Sequence, residues 1–287
     1  MECITFLGPF GATFSHEAYN WFAEHNYVPP ANLEKVLLAK NNNEIVSHAI
    51  KHRGYAVIAM ETSANARINE SLESFIRLLD QYQNNHDYPI HVLSAVKMRI
   101  NFCLIAKPET KNITGIYAHA MAIKACEKNI ASMSIKAEPV CSNGVAVQFV
   151  AESNEVGIAA LGPRIAAEKY GLRIFNDAFE DSEAVTTFFL LGSTSQPIQT
   201  AESNRALIVF KLPHKVGALV DALEPFKICG LSLIQIHSAH AGNGTYNFGI
   251  EIDVPMEQLD AFSKAIMLFT QKVSTYIQFG PFAVFEA

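Results

Sequence analysis

Short apolar runs that alternate with longer amphipathic runs are the feature that most constrains how this chain can fold. The run at 68–82 repeats apolar residues at helical spacing, with Leu72, Phe75 and Leu79 on one face. The run at 120–131 is also predicted to be helical. The runs predicted to be strands are 2–7, 55–60, 100–106, 113–118, 156–161 and 186–192. Strands that alternate with helices predict an α/β fold with mainly parallel sheets.

A polar, proline-containing stretch, GSTSQPIQTAESN at 192–204, interrupts that pattern and is the best candidate for a linker. Beyond it, the runs follow the order strand, helix, strand, strand, helix, strand. This βαββαβ order predicts a ferredoxin-like α+β unit, a fold that serves many functions. We therefore expect an α/β domain at 1–195, a linker at 196–204 and an α+β domain at 205–287.

Charge and cysteine content argue against several function classes. The 287-residue chain has a formal net charge of −6 and a pI near 5.9, which disfavours non-specific binding to nucleic acids or anionic membranes. Its five cysteines are scattered and include no C-x-x-C pair, so neither a disulfide framework nor a metal site is expected. The sequence has no apolar run of membrane-spanning length, and its start lacks the features of a signal peptide. These features predict a soluble cytoplasmic protein that needs no metal or other cofactor.

Polar residues follow several predicted strands, at the edge where open α/β sheets bind ligands. The loop GPFGATFS at 8–15 can offer backbone amides and the hydroxyls of Thr13 and Ser15 to an anion, or be an ordinary turn with Ser15 as the N-cap of the next helix. Glu61 and Ser63 follow the second strand and either bind a ligand or stabilise local structure, with Glu61 capping a helix or pairing with Arg67.

Three further positions have the same two interpretations. His119 ends a strand and is either a general acid or a structural hydrogen-bonding residue. Ser142 and Asn143 precede a helix and either bind an anion or cap that helix, while the adjacent Cys141 is interpreted as a buried thiol. Thr186 and Thr187 are adjacent strand residues, so only one of them can face a given cleft, and threonine is common in strands for reasons unrelated to function.

Taken in order, these segments resemble the motifs of the prephenate dehydratase family over nearly the whole chain. GPFGATFSHEAY is similar to the family's G-P-x-G-[ST]-[FY]-S loop, METSANARINESLE to P-[IL]-E-N-S-x-x-G-x-V, and IYAHAMAIKAC to V-[YS]-S-H-P-Q-A-L-x-Q-C. The stretch AAEKYGLRIFNDAFEDSEAVTTFFLLG is similar to A-A-x-x-Y-G-L followed by I-Q-D and N-x-T-R-F. LPHKVGALVDALEPFKICGLSLIQIHS is similar to the family's regulatory ACT domain. On this resemblance the chain is identified as a member of that family.

The resemblance implies a periplasmic-binding-protein-like catalytic domain in which prephenate binds between two α/β subdomains, at about 1–80 plus 174–195 and at 96–173. It implies that the ferredoxin-like unit is an ACT domain with an amino-acid effector, and that the chain forms a homodimer or homotetramer. The implied catalytic residues are Thr186, Glu61 and His119, the last two as proton donors. The implied substrate-binding residues are Thr13, Ser15, Ser63, Arg67, Ser142, Asn143, Thr187 and Phe188. The implied regulatory residues are Gly217, Ala218, Leu219, His237 and Ser238. Arg67, Arg164 and Lys97 are candidate cations for the substrate's carboxylates.

Several positions depart from the family motifs. T-R-F is Thr186-Thr187-Phe188, and the asparagine that precedes this triplet is Ala184. E-N-S is Glu61-Thr62-Ser63, S-H-P-Q-A is Ala118-His119-Ala120-Met121-Ala122, and S-T-A is Ser142-Asn143-Gly144. In the ACT motif, His237-Ser238-Ala239-His240 replaces E-S-R-P, which argues against ordinary phenylalanine sensing.

The missing arginine decides the expected reaction. Dehydratases release CO₂ from C1 of prephenate and expel the C4 hydroxyl as water, a step that needs a strong hydrogen-bond donor. Losing one such donor typically lowers the rate by about 10²–10³. A related branch, the non-aromatising prephenate decarboxylases of secondary metabolism, lacks the intact T-R-F and keeps the C4 hydroxyl, giving a dihydro-4-hydroxyphenylpyruvate. The sequence therefore predicts a prephenate decarboxylase. The alternatives are a prephenate dehydratase of phenylalanine biosynthesis, favoured by Thr186 and the ACT domain, and a non-catalytic ACT-domain sensor.

Overall fold

The computed structural model describes residues 3–30, 33–62, 66–67, 69–82, 88–193, 197–198, 204–242 and 245–287. Ser63 and most of the predicted linker lie outside the described residues. The strands are β1 (Ile4–Leu7), β2 (Val36–Ala39), β3 (Tyr55–Thr62), β4 (Ala66–Arg67), β5 (His91–Arg99), β6 (Cys103–Ala106), β7 (Gly115–His119), β8 (Lys136–Val140), β9 (Ile158–Gly162), β10 (Arg173–Asn176), β11 (Val185–Gly192), β12 (Asn204–Lys211), β13 (Leu233–Gly242), β14 (Thr245–Asp253) and β15 (Thr275–Glu286). The helices are α1 (Phe14–Glu24), α2 (Asn42–His52), α3 (Asn69–Gln81), α4 (Ala120–Ala125), α5 (Glu127–Ser132), α6 (Asn143–Glu152), α7 (Arg164–Tyr170), α8 (Ala218–Ile228) and α9 (Leu259–Phe269).

The strands form two sheets, and the predicted α/β fold class is confirmed. The larger sheet has the order β13-β14-β12-β15-β5-β11-β3-β1-β2, with β4 beside β3, and the smaller sheet has the order β10-β6-β9-β7-β8. We call β1–β5, β11 and α1–α3 the first lobe, the smaller sheet with α4–α7 the second lobe, and β12–β15 with α8 and α9 the C-terminal unit.

The prediction of mainly parallel sheets is wrong. β1 is parallel to β2 and β3, and β7 is parallel to β8 and β9. β11, however, runs antiparallel between β3 and β5. The chain leaves the first lobe after β5 and returns as β11, so the returning strand enters the sheet in the opposite direction to β3. The resulting sheet is mixed, an arrangement that is common in large sheets.

Burial explains which strands the sequence predicts well. The centres of β3 and β11 are buried on both faces, with Val57, Ile58, Phe189 and Leu190 fully inaccessible to solvent, so both strands read as continuous apolar runs. β8 is an exposed edge strand with the sequence KAEPV, and β10 is the opposite edge. Short edge strands carry charged residues and proline, so they are not recognised when strands are predicted from apolar runs.

The C-terminal unit has the βαββαβ order and is continuous with the first lobe. Its two helices pack on one face of its strands, where the ring of Phe269 meets that of Phe210 edge to face and that of Phe226 at a tilt. β15 extends past the unit and pairs in parallel with β5 over residues 283–286. The identification of this unit as an ACT domain, and the predicted boundaries at 195 and 205, remain predictions.

Sheet membership also shows where the chain crosses between the lobes. It enters the smaller sheet after β5, which ends at Arg99, and leaves it after β10, which ends at Asn176. Two crossing segments between two α/β lobes are consistent with a periplasmic-binding-protein-like arrangement. Among the described residues, no helix is both long and apolar enough to span a membrane.

Candidate active site

One cavity of about 600 Å³ lies where the strand ends of the two lobes meet. The carboxyl ends of the parallel strands β1, β2 and β3 open on it from the first lobe, and those of β7 and β8 from the second. A hydrogen bond of 2.9 Å from the Gly8 backbone N–H to the Ala39 carbonyl joins the loops after β1 and β2. This edge of an open α/β sheet is where such folds bind small ligands.

The cavity brings together seven of the predicted site residues. They are Thr13, Ser15, His119, Ser142, Asn143, Thr186 and Phe188. They are contributed by separate elements of both lobes, so a ligand in the cavity would touch the first lobe and the second lobe together.

The N-termini of α1, α2 and α6 open on this cavity, and their N-caps hold the loops in place. Thr13 Oγ1 accepts from the His16 backbone N–H at 3.3 Å and donates to the Leu7 carbonyl at 2.9 Å. Asn41 accepts from the Glu44 backbone N–H at 3.0 Å, and Ser142 accepts from that of Val145 at 3.1 Å. The prediction of Ser15 as the cap of α1 is wrong, because the helix begins at Phe14 and Thr13 caps it. For Ser142 both interpretations apply, because a cap also orients a helix N-terminus whose partial positive charge favours an anion.

His119 and Asn143 connect β7 to α6 at the floor of the cavity. The Asn143 side-chain oxygen accepts from the His119 backbone N–H at 2.8 Å. The His119 ring nitrogen Nδ1 accepts from the Met121 backbone N–H at 3.3 Å. An accepting Nδ1 leaves the proton of a neutral imidazole on Nε2, which can then donate to a ligand.

The two lobes touch along the loop that follows β1. A side-chain Cβ on Gly144, at the start of α6, would lie 2.6 Å from Pro9 Cδ and 2.9 Å from the Ala12 carbonyl oxygen. Only glycine permits this approach. The Lys169 ammonium of α7 donates to the Phe10 carbonyl across the same junction.

Two buried ionisable groups lie behind the loop, in the first turn of α1. Burial, followed by the positive charge of Lys169, lowers the pKa of His16 to about 4. His16 is therefore neutral near pH 7, and its Nδ1 accepts from the Gly11 backbone N–H at 3.0 Å. Burial raises the pKa of Glu17 to about 7, although a hydrogen bond from the Ile165 backbone amide acts in the opposite direction.

Thr186 and Thr187 lie on opposite faces of β11. Thr186 lines the cavity. The Thr187 hydroxyl donates to Glu61 Oε1 at 2.9 Å, and the same oxygen lies 3.2 Å from the Arg205 guanidinium of β12. Neither Thr187 nor Glu61 is among the cavity-lining residues.

Glu61 therefore does not fit the proton-donor role that the resemblance implies. Its carboxylate faces the C-terminal unit, where Gln235 of β13 also donates to it. An ionised carboxylate held by a guanidinium is an acceptor of hydrogen bonds, not a source of protons. Thr187 likewise lies outside the group of substrate-binding residues that the cavity brings together.

Other predicted residues lie elsewhere. Ser63 and the side chain of Arg67 lie outside the described residues. Of the other two candidate cations, Lys97 pairs with Glu286 at 2.8 Å and Arg164 with Asp177 at 3.2 Å, and neither lines the cavity.

The predicted regulatory residues are divided between two places. Gly217, Ala218 and Leu219 line a second cavity of about 390 Å³ in the C-terminal unit. His237 and Ser238 lie on β13, the edge strand of the larger sheet, and do not line that cavity.

Several cavity residues were not predicted from the sequence. Lys40, Asn41 and Asn42 follow β2, a four-residue strand that was not recognised, and Glu70 lies in the first turn of α3. Lys40 is the one lysine or arginine that lines this cavity in the described part of the chain. Recognising VLLA as a strand parallel to β1 would have pointed to the residues at its carboxyl end. Cys141, interpreted as a buried thiol, is exposed and lines the cavity.

Comparison with known proteins identifies the family. The family model described as prephenate dehydratase matches residues 4–196. The chain belongs to the prephenate dehydratase family. A bifunctional chorismate mutase/prephenate dehydratase from Stutzerimonas stutzeri is 28% identical over 270 residues, which are 92% of this chain and 68% of that protein. A prephenate dehydratase from Corynebacterium glutamicum is 28% identical over 269 residues, 89% of this chain and 81% of that protein.

A solved structure has the same fold over both parts of the chain. The prephenate dehydratase from Arthrobacter aurescens, in complex with L-Phe, superposes with a TM-score of 0.81 at 23% identity, covering 98% of this chain and 89% of that one. The C-terminal unit is therefore included in the similarity of fold.

The cavity separates the departures from the prephenate dehydratase motifs into two groups. Thr62, Met121 and Ala184 occupy motif positions of Asn, Gln and Asn, and all three line the cavity. Thr187, which occupies the position of the motif arginine, faces the C-terminal unit instead. Asn143 and Gly144, at motif positions of Thr and Ala, line the cavity as well. The departures that can touch a ligand therefore include the three former amides but not the former arginine.

Proposed function

We propose that the protein is a lyase that acts on prephenate, and that dehydration to phenylpyruvate is its first candidate reaction. The observation that carries this proposal is Thr186 in the lining of a cavity bounded by both lobes and by three helix N-termini. The names and family of the relatives support the same reaction. The sequence favoured decarboxylation because of the missing arginine, but Thr187 faces away from the cavity, which weakens that reason.

The cavity suits a dicarboxylate with an apolar ring. The N-termini of α1, α2 and α6, together with Lys40, offer positive potential for the two carboxylates. Phe14, Phe102 and Phe188 form apolar wall for the ring and for the carboxylate that leaves as CO₂. A carboxylate in apolar surroundings loses hydration, which favours its conversion to neutral CO₂.

The proposed reaction assigns two groups to the C4 hydroxyl. The electron pair of the C1–carboxylate bond moves into the ring as CO₂ departs, and the ring expels the C4 oxygen as water. The Thr186 hydroxyl and the His119 Nε2–H each donate a hydrogen bond to that oxygen as negative charge develops on it, and the proton that completes the water comes from solvent. Phenylpyruvate, CO₂ and water are the products.

The non-aromatising decarboxylation is the second candidate, and the three replaced amides favour it. With Thr62, Met121 and Ala184 the cavity has fewer side-chain amides than the family motifs supply, so fewer donors remain for a leaving hydroxyl. In this reaction the electron pair from C1 is captured by a proton at a ring carbon, and the C4 hydroxyl stays. That proton comes from solvent, and the His119 Nε2–H is then proposed to hold the donating water by a hydrogen bond.

Product analysis distinguishes these candidates. Purified protein is incubated with prephenate at neutral pH, and the product is identified by NMR and mass spectrometry against an enzyme-free control. Phenylpyruvate supports the dehydratase. A non-aromatic hydroxy-keto acid, lighter than prephenate by CO₂ alone, supports the decarboxylase. Absence of turnover favours the third reading, a non-catalytic sensor.

Thr186→Ala tests the assigned hydroxyl. We expect a fall in kcat of about 10²–10³ if Thr186 donates to the departing oxygen, and partial recovery in Thr186→Ser. Thr270→Ala is the matched control, because it removes the same hydroxyl far from the cavity. Thr270 is the C-cap of α9, and its hydroxyl donates to the Met267 carbonyl. An unchanged kcat in Thr186→Ala removes the residue from the mechanism.

We also propose an amino-acid effector at the second cavity and a homo-oligomer. The cavity beside Gly217–Leu219 is the proposed binding place, because Gly217 has φ +80° and opens the N-terminus of α8. The exposed face of the edge strand β13, with Ile234 and Ile236, is the proposed contact between copies. Light scattering measures the oligomeric state directly.

A further inference from the structure

A buried charged cluster joins the first lobe to the C-terminal unit directly behind the cavity. The Arg205 guanidinium lies 3.2 Å from Glu61 Oε1 and 3.0 Å from Glu251 Oε2. Gln235 and Thr187 donate to the two oxygens of the Glu61 carboxylate. The Arg205 side chain is 9% exposed and that of Glu251 is 1% exposed. β12, β13 and β14 of the C-terminal unit therefore each contribute one side chain to a cluster that includes a residue of β3.

The cluster and the cavity lie on opposite faces of the same two strand ends. Glu61 pairs with Thr187 across β3 and β11, and the next pair is Thr62 with Thr186. Successive strand residues point to opposite faces, so the cluster binds the first pair while the second pair lines the cavity. The ladder between β3 and β11 is irregular between Thr187 and Phe188, whereas β11 pairs regularly with β5 from Val185 to Leu190. Regular pairing therefore holds this end of β11 to β5 but does not continue from the strand centres to the end of β3.

An irregular ladder needs other contacts to fix its end. A β-bulge redirects side chains and interrupts regular pairing. Here the hydrogen bond between Thr187 and Glu61 spans the two strands beyond the bulge. The position of the Glu61 carboxylate in turn depends on Arg205, because a buried carboxylate requires a paired cation.

We propose that Arg205 is a positioning residue for Thr186. Arg205 holds the Glu61 carboxylate, Glu61 holds Thr187, and the position of Thr187 sets the direction in which the adjacent Thr186 hydroxyl enters the cavity. The C-terminal unit thereby forms part of the catalytic apparatus. This inference rests on the proposed role of Thr186 in turnover.

A purely structural role for the cluster makes a different prediction. If the cluster only joins the C-terminal unit to the first lobe, its loss lowers stability, and activity follows the folded fraction. A second ion pair of the same strand supplies the comparison. Lys211, at the other end of β12, pairs with Asp80 of α3 and therefore also joins the two parts, but far along the strand from β11.

The experiment compares Arg205→Lys with Lys211→Met at a temperature at which both variants are fully folded by circular dichroism. Lysine keeps the charge and loses the planar fork of arginine. We expect Arg205→Lys to lower kcat at least tenfold with KM changed less than threefold, and Lys211→Met to change neither. Arg205→Met is expected to lower kcat further. Equal kcat in wild type and Arg205→Lys overturns the proposal.

A double-mutant cycle tests the route through Glu61. If Arg205 acts on Thr186 through Glu61, then Glu61→Gln combined with Arg205→Lys lowers kcat no further than the more damaging single change. If the two effects on kcat multiply, Arg205 does not act on Thr186 through Glu61.

A structural readout separates failure of this inference from failure of the proposed function. Threonine methyl groups are isotopically labelled, and the Thr186 resonance is assigned from its loss in Thr186→Ser. Arg205→Lys is expected to shift this resonance and Lys211→Met to leave it in place, whether or not prephenate is the substrate. An unshifted Thr186 methyl in Arg205→Lys rules out positioning even if wild-type turnover is found, whereas a shift without wild-type turnover counts against the proposed function only.

Discussion

Replacing Glu17 with glutamine is expected to stabilise the protein above pH 7 and to change its stability little near pH 4. Glu17 lies on α1 of the first lobe, and its carboxylate accepts from the Ile165 backbone amide in α7 of the second. Burial is the largest influence on its pKa, which rises from 4.5 to about 7, and the charge of Glu168 raises it further while that of Arg164 lowers it. The site therefore favours the neutral acid.

The magnitude follows from linkage between protonation and folding. A carboxyl whose pKa is higher in the folded than in the unfolded state loses stability as pH rises from the unfolded value toward the folded one. The window here is about pH 4.5 to 7. A shift of about 2.5 units at 1.36 kcal/mol per unit gives about 3 kcal/mol of lost stability above that window. Glutamine keeps an acceptor for the Ile165 amide and does not ionise, so Glu17→Gln recovers up to that amount.

Urea unfolding at pH 5 and at pH 8 measures the effect. The free energy of unfolding of Glu17→Gln should exceed that of wild type by up to about 3 kcal/mol at pH 8, and the excess should be much smaller at pH 5. Glu24→Gln, at the exposed end of the same helix, is the control and should show no such difference. An equal difference at both pH values, or destabilisation at pH 8, refutes the burial argument.

Three further outcomes are expected. Gly144→Ala should lower the affinity for substrate, because the added Cβ would lie 2.6 Å from Pro9 and push the lobes apart. Isothermal titration with prephenate measures the change, and an unaltered affinity would show that the contact between the lobes adjusts to the methyl group. Lys40→Met should raise KM for prephenate about tenfold, because a cation near a substrate carboxylate is lost. The control Lys51→Met, on the exposed side of α2, should leave KM unchanged. Equal KM values in wild type and Lys40→Met would exclude Lys40 from substrate binding. If the proposed amino-acid effector is L-phenylalanine, it should raise the unfolding temperature of wild type and not of Val220→Arg, whose side chain would block the second cavity. A rise in both places the effector elsewhere, and no rise in wild type excludes phenylalanine, as the altered segment at 237–240 predicts.

Local interactions account for what the sequence predicted well. Ser142 was predicted as a helix cap or an anion-binding residue, and it accepts from a backbone N–H three residues later. For α1 the cap was expected at Ser15 and is Thr13, two residues earlier. A cap of this kind involves one turn of chain, so a short stretch of sequence contains the information. The same holds for the buried strand centres of β3 and β11, whose apolar runs need no partner to be recognised.

Long-range contacts account for what the sequence could not predict. Glu61 was expected in the cleft, but its carboxylate pairs with Arg205, which is 144 positions away along the chain. Strand register decides which face a residue occupies, and a slip of one residue reverses it. Lys40 was missed for a related reason, since β2 contributes only four residues and gains its significance from pairing with β1.

The two faces of β11 change how a lost motif residue is to be interpreted. In sequence, the replacement of the motif arginine by Thr187 suggests a loss of catalytic charge. In the structure, the Thr187 hydroxyl and the Arg205 guanidinium contact the same oxygen of Glu61, so position 187 belongs to the contact between the first lobe and the C-terminal unit. An arginine there would bring a second guanidinium to a carboxylate that already has one. The chemistry of the cavity is therefore better judged from Thr62, Met121 and Ala184, which replace amides and line the cavity, whereas position 187 can act on the ligand only through Thr186.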